Sequence, residues 1–301
     1  MLFNLSNNYY YIIDTSYIIF CAASTAFKNY VYQEGILKKT LHPDFNPTID
    51  PEFNYIFEKC FISKIERTMI NMTPFSFDRK NIIFTLDCPR KDIWRRQIFP
   101  EYKLPRDTSD HSKDLFNIGE VFKYAYNILI PNYCMEHDSK CISCICAESD
   151  DIIAILTKYL LKRNENNNVI ILSSDRDMVQ LHNDRTIIIS SNNEIRDPKK
   201  EFMSMTKVKK LNSEISNTDF LLFKIIIGDK SDNIPSIKYR LGPKKAMEYV
   251  LDKSRSKLKN LLKEDVEIAN GFKRNKILIS MNEIPDYISE SIIENIEKAL
   301  S

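Results

Sequence analysis

The sequence predicts an α/β fold: a parallel sheet flanked by helices over residues 1–200, followed by a helical region over 201–301. Three observations carry this reading. Three short, unbroken apolar runs each end in aspartate, as strands buried on both faces of a parallel sheet would. Helical patterns separate those runs, which is the α/β alternation. Beyond about residue 200 the strand pattern stops and helical segments follow one another.

In chain order, "YYYIID" (9–14) is the first strand and ends at Asp14. A polar, turn-rich stretch at 30–51 reads as a long loop, and a helix is expected over 52–72. "NIIFTLD" (81–87) is the second strand, ending at Asp87, and a second long polar loop spans 102–114. Helices are expected over 114–130 and 149–163, with "NVIILSSD" (168–175) as the third strand, ending at Asp175. Ligands bind outside the carboxyl ends of strands in open parallel sheets, which is where these acids fall. In the last third, "NTDFLLFKIIIG", "GPKKAMEYVL", "RSKLKNLLKED" and "IPDYISESIIENIEKAL" all read as helices.

The 301 residues are 43% hydrophobic, enough for a real core. No stretch approaches the ~18 consecutive apolar residues of a membrane span. The first residues, "MLFNLSNNYYYIID", lack a basic region before their apolar part, so an intracellular, non-secreted, monomeric protein is expected. Seven cysteines, an odd number, fit free thiols in a reducing compartment. The formal net charge is only +2, but residues 201–276 hold 17 Lys and Arg against 10 Asp and Glu. A basic platform beside an acidic site suits a polyanionic substrate held for metal chemistry, although a generally charged surface accounts for the same counts.

The acids are Asp14, Asp87, Glu148, Asp150, Asp151, Asp175, Asp177, Asp229 and Asp232. Asp150/Asp151 and Asp175/Asp177 stand where helices start, so ordinary capping explains either pair alone. Asp229 and Asp232 follow an apolar helix at its C-terminus, where the helix dipole favours cations, and capping does not explain them. Gathered at one sheet edge, these carboxylates would repel and raise one another's pKa unless cations neutralised them. Oxygen-only ligands favour Mg²⁺, with Mn²⁺ as a substitute, over zinc. Two such ions ~4 Å apart clamp the attacking and leaving oxygens of a phosphodiester.

Several ordered stretches make the reading specific. "CAESDD", "ILSSDRDMVQL", "GDKSDNIPSI" and "DIWRRQIFPEYKLPR" resemble motifs of the flap endonuclease, or 5′-3′ exonuclease, family. That family includes the N-terminal nuclease of bacterial DNA polymerase I and the ribonuclease H of T-even phages. The resemblance runs over about residues 9–250, and "NKILISMNEIPDYISESII" is similar to the C-terminal region of the phage enzyme. It implies a PIN-like 5′ nuclease fold with a helix-hairpin-helix-like DNA-binding element. By motif, Asp14, Asp87, Glu148, Asp150 and Asp175 would surround a first ion. Asp177, Asp229 and Asp232 would serve a second, and Asp151 would ligate, support or cap. Lys103, Arg106 and Arg95 would be the catalytic cations, with Tyr102 stacking on an unpaired base or sitting in the core. Gly242, Lys244 and Lys245 would grip duplex phosphates at a helix N-terminus. The sequence departs from the family pattern at Ser236, where a Gly is usual, and at "KYR" (238–240), which looks inserted.

"CMEHDSKCISCIC" (134–146) supplies one C-x-x-C pair, Cys141 and Cys144, where a structural zinc needs four ligands; loop or buried thiols are the expectation. The function that follows is a two-metal, structure-specific 5′ nuclease acting on DNA with a 5′ flap, a nick or an RNA primer, in replication or repair. A single-strand-binding protein or a sliding clamp would be a fitting partner. Rival readings are a related nuclease for RNA or four-way junctions, a DNA-binding protein without catalysis, and a hydrolase using Asp14 as nucleophile.

Overall fold

The first strand forms where Tyr and Ile crowd together, because such side chains fit a pleated surface buried on both sides. In the computed structural model, which describes residues 8–33, 36–37, 46–73, 77–106 and 116–301, β1 (Asn8–Asp14) lies at the sheet centre. It pairs in parallel with β4 (Ile82–Leu86) on one side and β6 (Asn167–Leu172) on the other. β5 (Lys140–Ser143), β7 (Thr186–Ile189) and β8 (Ile195–Arg196) complete the order β5-β4-β1-β6-β7-β8, antiparallel only at β8. A two-residue pair, β2 (Tyr32–Gln33) and β3 (Ile36–Leu37), stands apart.

Successive residues of β1 feed opposite layers, as the two-residue period requires. Tyr11 and Ile13 pack with α1 (Thr15–Val31) and α2 (Pro51–Met72), against a row of Phe53, Phe57 and Phe61. Ile12 packs with Ile83 and Ile171 against α6 (Ser149–Arg163). Helix α4 (Ile118–Tyr124) runs through a π-helical turn, Ala125–Leu129, into α5 (Ile130–His137). A short helix, α3 (Arg95–Ile98), precedes the single turn Leu104–Arg106.

The last third is helical: α7 (Pro198–Thr206), α8 (Asn217–Ile227), α9 (Pro243–Leu251), α10 (Ser256–Glu264), α11 (Val266–Ile279) and α12 (Asp286–Leu300). Helices α7 to α11 build a core of their own around Phe202, Phe220, Phe223 and Ile268. Helix α12 crosses back, burying Ile288, Ile292 and Ile296 in the α6 layer. No described helix is long and apolar enough to cross a membrane.

Several elements differ from the sequence expectation. Helix α1, β5, β7, α7 and α11 were not among the expected segments, and the helix expected over 114–130 runs on to His137. The third strand ends at Leu172, so Asp175 begins a 3-10 turn, Arg176–Leu181, rather than closing the strand. The loop expected at 30–51 holds the β2–β3 pair and a turn at Pro47–Ile49; its residues 34–35 and 38–45 lie outside the described residues, as does most of the 102–114 loop. The cysteine stretch is partly the edge strand β5, with Cys141 exposed and Cys144 buried with its Sγ 3.3 Å from Ser291 Oγ. All seven cysteines are free.

Candidate metal centre

Parallel strands end together, so β1, β4 and β6 bring Asp14, Asp87 and Asp175 to one edge of the sheet. Asp14 caps α1: one oxygen accepts the Tyr17 N–H at 3.3 Å, and the other accepts from Ser173 Oγ at 2.6 Å. Asp87 accepts the Ser149 N–H, in the first turn of α6, at 2.8 Å and the Ser16 hydroxyl at 2.5 Å. Asp175 accepts the Asp177 N–H at 2.7 Å. Among the described residues, the hydrogen bonds to these three come from neutral donors.

Their charges therefore press on one another. Burial, with Asp87 and Asp175 adding repulsion, pushes the Asp14 carboxyl up to about 7. Burial and the charges of Asp175 and Asp14 hold Asp150 well above the ordinary carboxylate range. Asp177 is likewise pushed to about 7, by burial and by Asp175, Asp229 and Asp232, against the pull of Lys224.

The other side of the cluster is tied to cations. Lys103 Nζ donates to Glu148 Oε1 at 2.5 Å and lies 3.7 Å from Asp232. Arg106 donates to Asp232 Oδ1 at 2.7 Å and to the Ser231 carbonyl at 3.2 Å. Burial opposes ionisation of Glu148, but Lys103 and Arg95 outweigh it and hold the carboxyl below its usual range. The Lys103 N–H also binds the Asp232 carbonyl at 2.9 Å, locking segment 101–106 onto the Asp229–Asp232 turn.

That turn answers why two acids follow a helix C-terminus. Gly228 has φ +72, and a Cβ there would stand 2.3 Å from the Ile234 carbonyl, so only glycine fits. The tight loop closed by Asp229 N–H to Ile234 O at 2.9 Å folds both aspartates back over the sheet edge. Lys224, in the last turn of α8 and 3% exposed, pairs with Asp229 and stands 3.2 Å from Asp177. Burial opposes ionisation of Asp229, yet Lys224 holds its carboxyl below the usual range. Sequence reasoning passed over Lys224, whose signal was a single cation inside the apolar run "FLLFKIII".

At Tyr102 and Asp151 the geometry favours one of the two expected readings, and at Arg95 it differs from the expectation. Tyr102 is 3% exposed, with its hydroxyl 3.0 Å from Glu148 Oε2 and 3.1 Å from Asp232 Oδ2 and one proton to share between them, so it braces carboxylates and presents no face to a base. Arg95 is buried beneath the cluster, forked onto Asp151 at 2.8 and 2.9 Å, with Glu148 and the Leu278 carbonyl completing its bonds. It holds the site from below and does not face the crevice. Asp151 is fully buried; Arg95, the Trp94 indole N–H at 3.0 Å and the Glu148 N–H at 3.0 Å occupy its oxygens, which leaves a capping and bracing group in place of a ligand. Both Asp14 oxygens are also engaged, which ill suits a nucleophile.

Whether divalent ions fit can be judged from the donors. All are oxygens, several are buried and repelling, and Asp177 Oδ1 is buried with no hydrogen bond, the Lys224 ammonium lying off its bonding direction. Among the described residues, no three His, Cys, Asp or Glu side chains are close enough to enclose an ion by themselves. Mg²⁺ takes one or two carboxylates and keeps several waters, so this open arrangement of acids suits it.

At the basic end, Gly242 caps α9 with open space around its Cα, and Lys244 and Lys245 are exposed on the first turn. Lys245 pairs with Glu248 at 2.6 Å. The hairpin before it is held by Ser236 Oγ donating to the Lys238 carbonyl at 2.7 Å. Tyr239, 83% exposed, lies under the Arg240 guanidinium at 5.1 Å.

Known proteins share both motifs and fold. Residues 60–212 match the model of the 5′-3′ exonuclease, N-terminal resolvase-like domain. The chain belongs to the 5′-3′ exonuclease family. A 5′-3′ exonuclease of Buchnera aphidicola is 31% identical over 196 residues, covering 65% of this chain and 60% of that relative. The ribonuclease H of phage T4 is 24% identical over 265 residues, 78% of each chain. The exonuclease fold extends over nearly the whole chain. A T5 5′-exonuclease structure with bound zinc superimposes with a TM-score of 0.64 at 16% identity, covering 98% of this chain and 100% of that one. A T5 flap endonuclease complex with DNA and metal ions gives 0.63 at 16% identity, with the same coverage.

Proposed function

We propose that the protein is a divalent-metal-dependent, structure-specific 5′ nuclease that hydrolyses phosphodiesters in DNA bearing a 5′ flap, a nick or an RNA primer. The observation that carries this is the division of the acid cluster. Among the described residues, Glu148, Asp229 and Asp232 are ion-paired with lysines and arginines, while Asp14, Asp87 and Asp175 accept from neutral donors and Asp150 is pressed by Asp175 and Asp14. Such a half-neutralised cluster beside a basic helical region suits cations and a polyanion together.

Asp14, Asp87, Glu148, Asp150 and Asp175 would hold a first ion, and Asp177, Asp229 and Asp232 a second, partly through water. When bound, the ions supply an activated water and charge at the leaving oxygen. The chain's own part is positional. Lys103, fixed by Glu148, and Arg106, whose side chain is 44% exposed, would flank the scissile phosphate and offset its developing charge. Arg95, Tyr102 and Asp151 keep Glu148 and Asp232 from shifting. Lys244 and Lys245, at the N-terminus of α9, would take duplex phosphates. A role in replication or repair, with Mg²⁺ as the usual metal and a single-strand-binding protein or sliding clamp nearby, accords with this chemistry.

The test is a labelled 5′-flap duplex incubated with the protein in Mg²⁺ or EDTA, beside Asp175→Asn. Cuts near the junction that need Mg²⁺ and fall by about a thousandfold or more in the variant are expected. Tight flap binding without cleavage in Mg²⁺ and Mn²⁺ alike would overturn catalysis in favour of a DNA-binding role.

A further inference from the structure

Asp87 has a hydroxyl chain behind it that the proposed metal and phosphate roles leave unexplained. Ser16 Oγ donates to Asp87 Oδ2 at 2.5 Å and lies 2.8 Å from the Tyr126 hydroxyl. A serine hydroxyl has one proton. Spent on Asp87, it leaves Ser16 to accept from Tyr126, so the chain runs Tyr126 to Ser16 to Asp87. The other Asp87 oxygen is bound by the Ser149 N–H at 2.8 Å. The carboxylate is thus fixed from two sides, and its remaining lone pairs are left for the crevice.

Tyr126 stands in the π-helical turn Ala125–Leu129 between α4 and α5. Such turns disrupt helical bonding and recur at functional sites, because the added residue shifts the phase of neighbouring side chains. Here the turn carries a ring that reaches Ser16 across 110 residues of sequence.

We propose that Tyr126 is a positioning residue for Asp87, acting through Ser16, and that it strengthens divalent-ion binding at the unpaired side of the acid cluster. The proposal rests on the metal-nuclease reading above. Groups that orient a metal's carboxylate ligand commonly change affinity severalfold or more.

Calorimetric titration with Mn²⁺ at pH 7.5, without DNA, tests it on the wild type, Tyr126→Phe, Ser16→Ala, the double variant and Tyr17→Phe. Tyr17 is a matched control, its hydroxyl lying 2.7 Å from Ser191 Oγ and away from Asp87. Tyr126→Phe is expected to weaken Mn²⁺ binding about three- to tenfold, and Ser16→Ala at least as much. The double variant should lose less than the sum of the two single losses, because the ring acts on the carboxylate mainly through the serine, its hydroxyl also meeting the Asp87 main-chain N–H. Tyr17→Phe should bind as the wild type does, and saturating Mn²⁺ should restore cleavage by Tyr126→Phe. Wild-type affinity in Tyr126→Phe, or additive losses in the double variant, would overturn the positioning role alone. No ion uptake by the wild type would instead overturn the metal reading and this proposal with it.

Discussion

The two halves of the acid cluster use the same functional group and treat it in opposite ways. Around Glu148, Asp229 and Asp232 every carboxylate has a buried or half-buried cation against it: Lys103, Arg95, Arg106 or Lys224. Around Asp14, Asp87 and Asp150 no cation is ion-paired among the described residues; hydroxyls, backbone N–H groups and other acids surround them, with Lys103 only near enough to ease the charge on Asp150. The first half is largely neutralised as folded, although burial still holds the Asp232 carboxyl above its ordinary range. The second holds charge that the fold does not neutralise, which costs stability. The contrast marks where a cation from outside the chain is needed, and the acids in the sequence could not mark it by themselves.

Breaking the neutralised half should have the largest effect on stability. Arg95→Met leaves Asp151 and Glu148 buried without their main cation. A loss of about 3–5 kcal/mol is expected, because an unpaired buried charge remains. Urea unfolding measures it, and a change under about 1 kcal/mol would mean that the Arg95 network does not brace the site.

The other half should show itself in pH dependence. Asp14 sits at about 7 in the fold against an ordinary value of 3.8, and so does Asp177 despite Lys224 3.2 Å away. A carboxyl raised in this way stabilises the fold while it stays protonated, and that contribution is lost as pH rises through its folded value. The metal-free protein should therefore lose melting temperature from about pH 5 to pH 8, by several degrees. The low-lying Glu148 and Asp229 act in a separate window, below the ordinary carboxylate range. A metal-free melting temperature that rises over pH 5–8 would contradict the contrast.

Away from the cluster the effect should be smallest. Lys244→Ala with Lys245→Ala should leave the melting temperature unchanged. Flap-duplex binding should weaken without regard to sequence, with the salt slope falling by about one for each phosphate that the lysines no longer neutralise. An unchanged slope, read by fluorescence anisotropy across salt concentrations, would remove the α9 N-terminus from the duplex interface.

How much of this was legible in the sequence follows from what each signal encodes. Strands β1, β4 and β6 were readable because unbroken apolar runs ended in turn residues, and their terminal acids came with them. Helix α1 escaped because "TSYIIFCAASTAF" is small and apolar nearly all round, with no clear stripe. Strands β5 and β7 are four residues each, too short for periodicity to separate from loop. The acids were found because their spacing is local. Their division into paired and unpaired was not, since Lys103 meets Glu148 across 45 residues and Arg106 meets Asp232 across 126. The same distance hid the burial of Arg95, which looked like a surface group in a basic turn, and left Tyr102 undecided between a base and the core.

The most direct test of the central claim is the melting temperature of the wild type and of Asp150→Asn at pH 8, each with and without Mg²⁺. The account predicts that the wild type gains several degrees with Mg²⁺. The variant, relieved of one unneutralised charge, should start higher without metal and gain little. An equal Mg²⁺ response in both proteins, or none in the wild type, would contradict the claim that the unpaired half of the cluster is where the first ion binds.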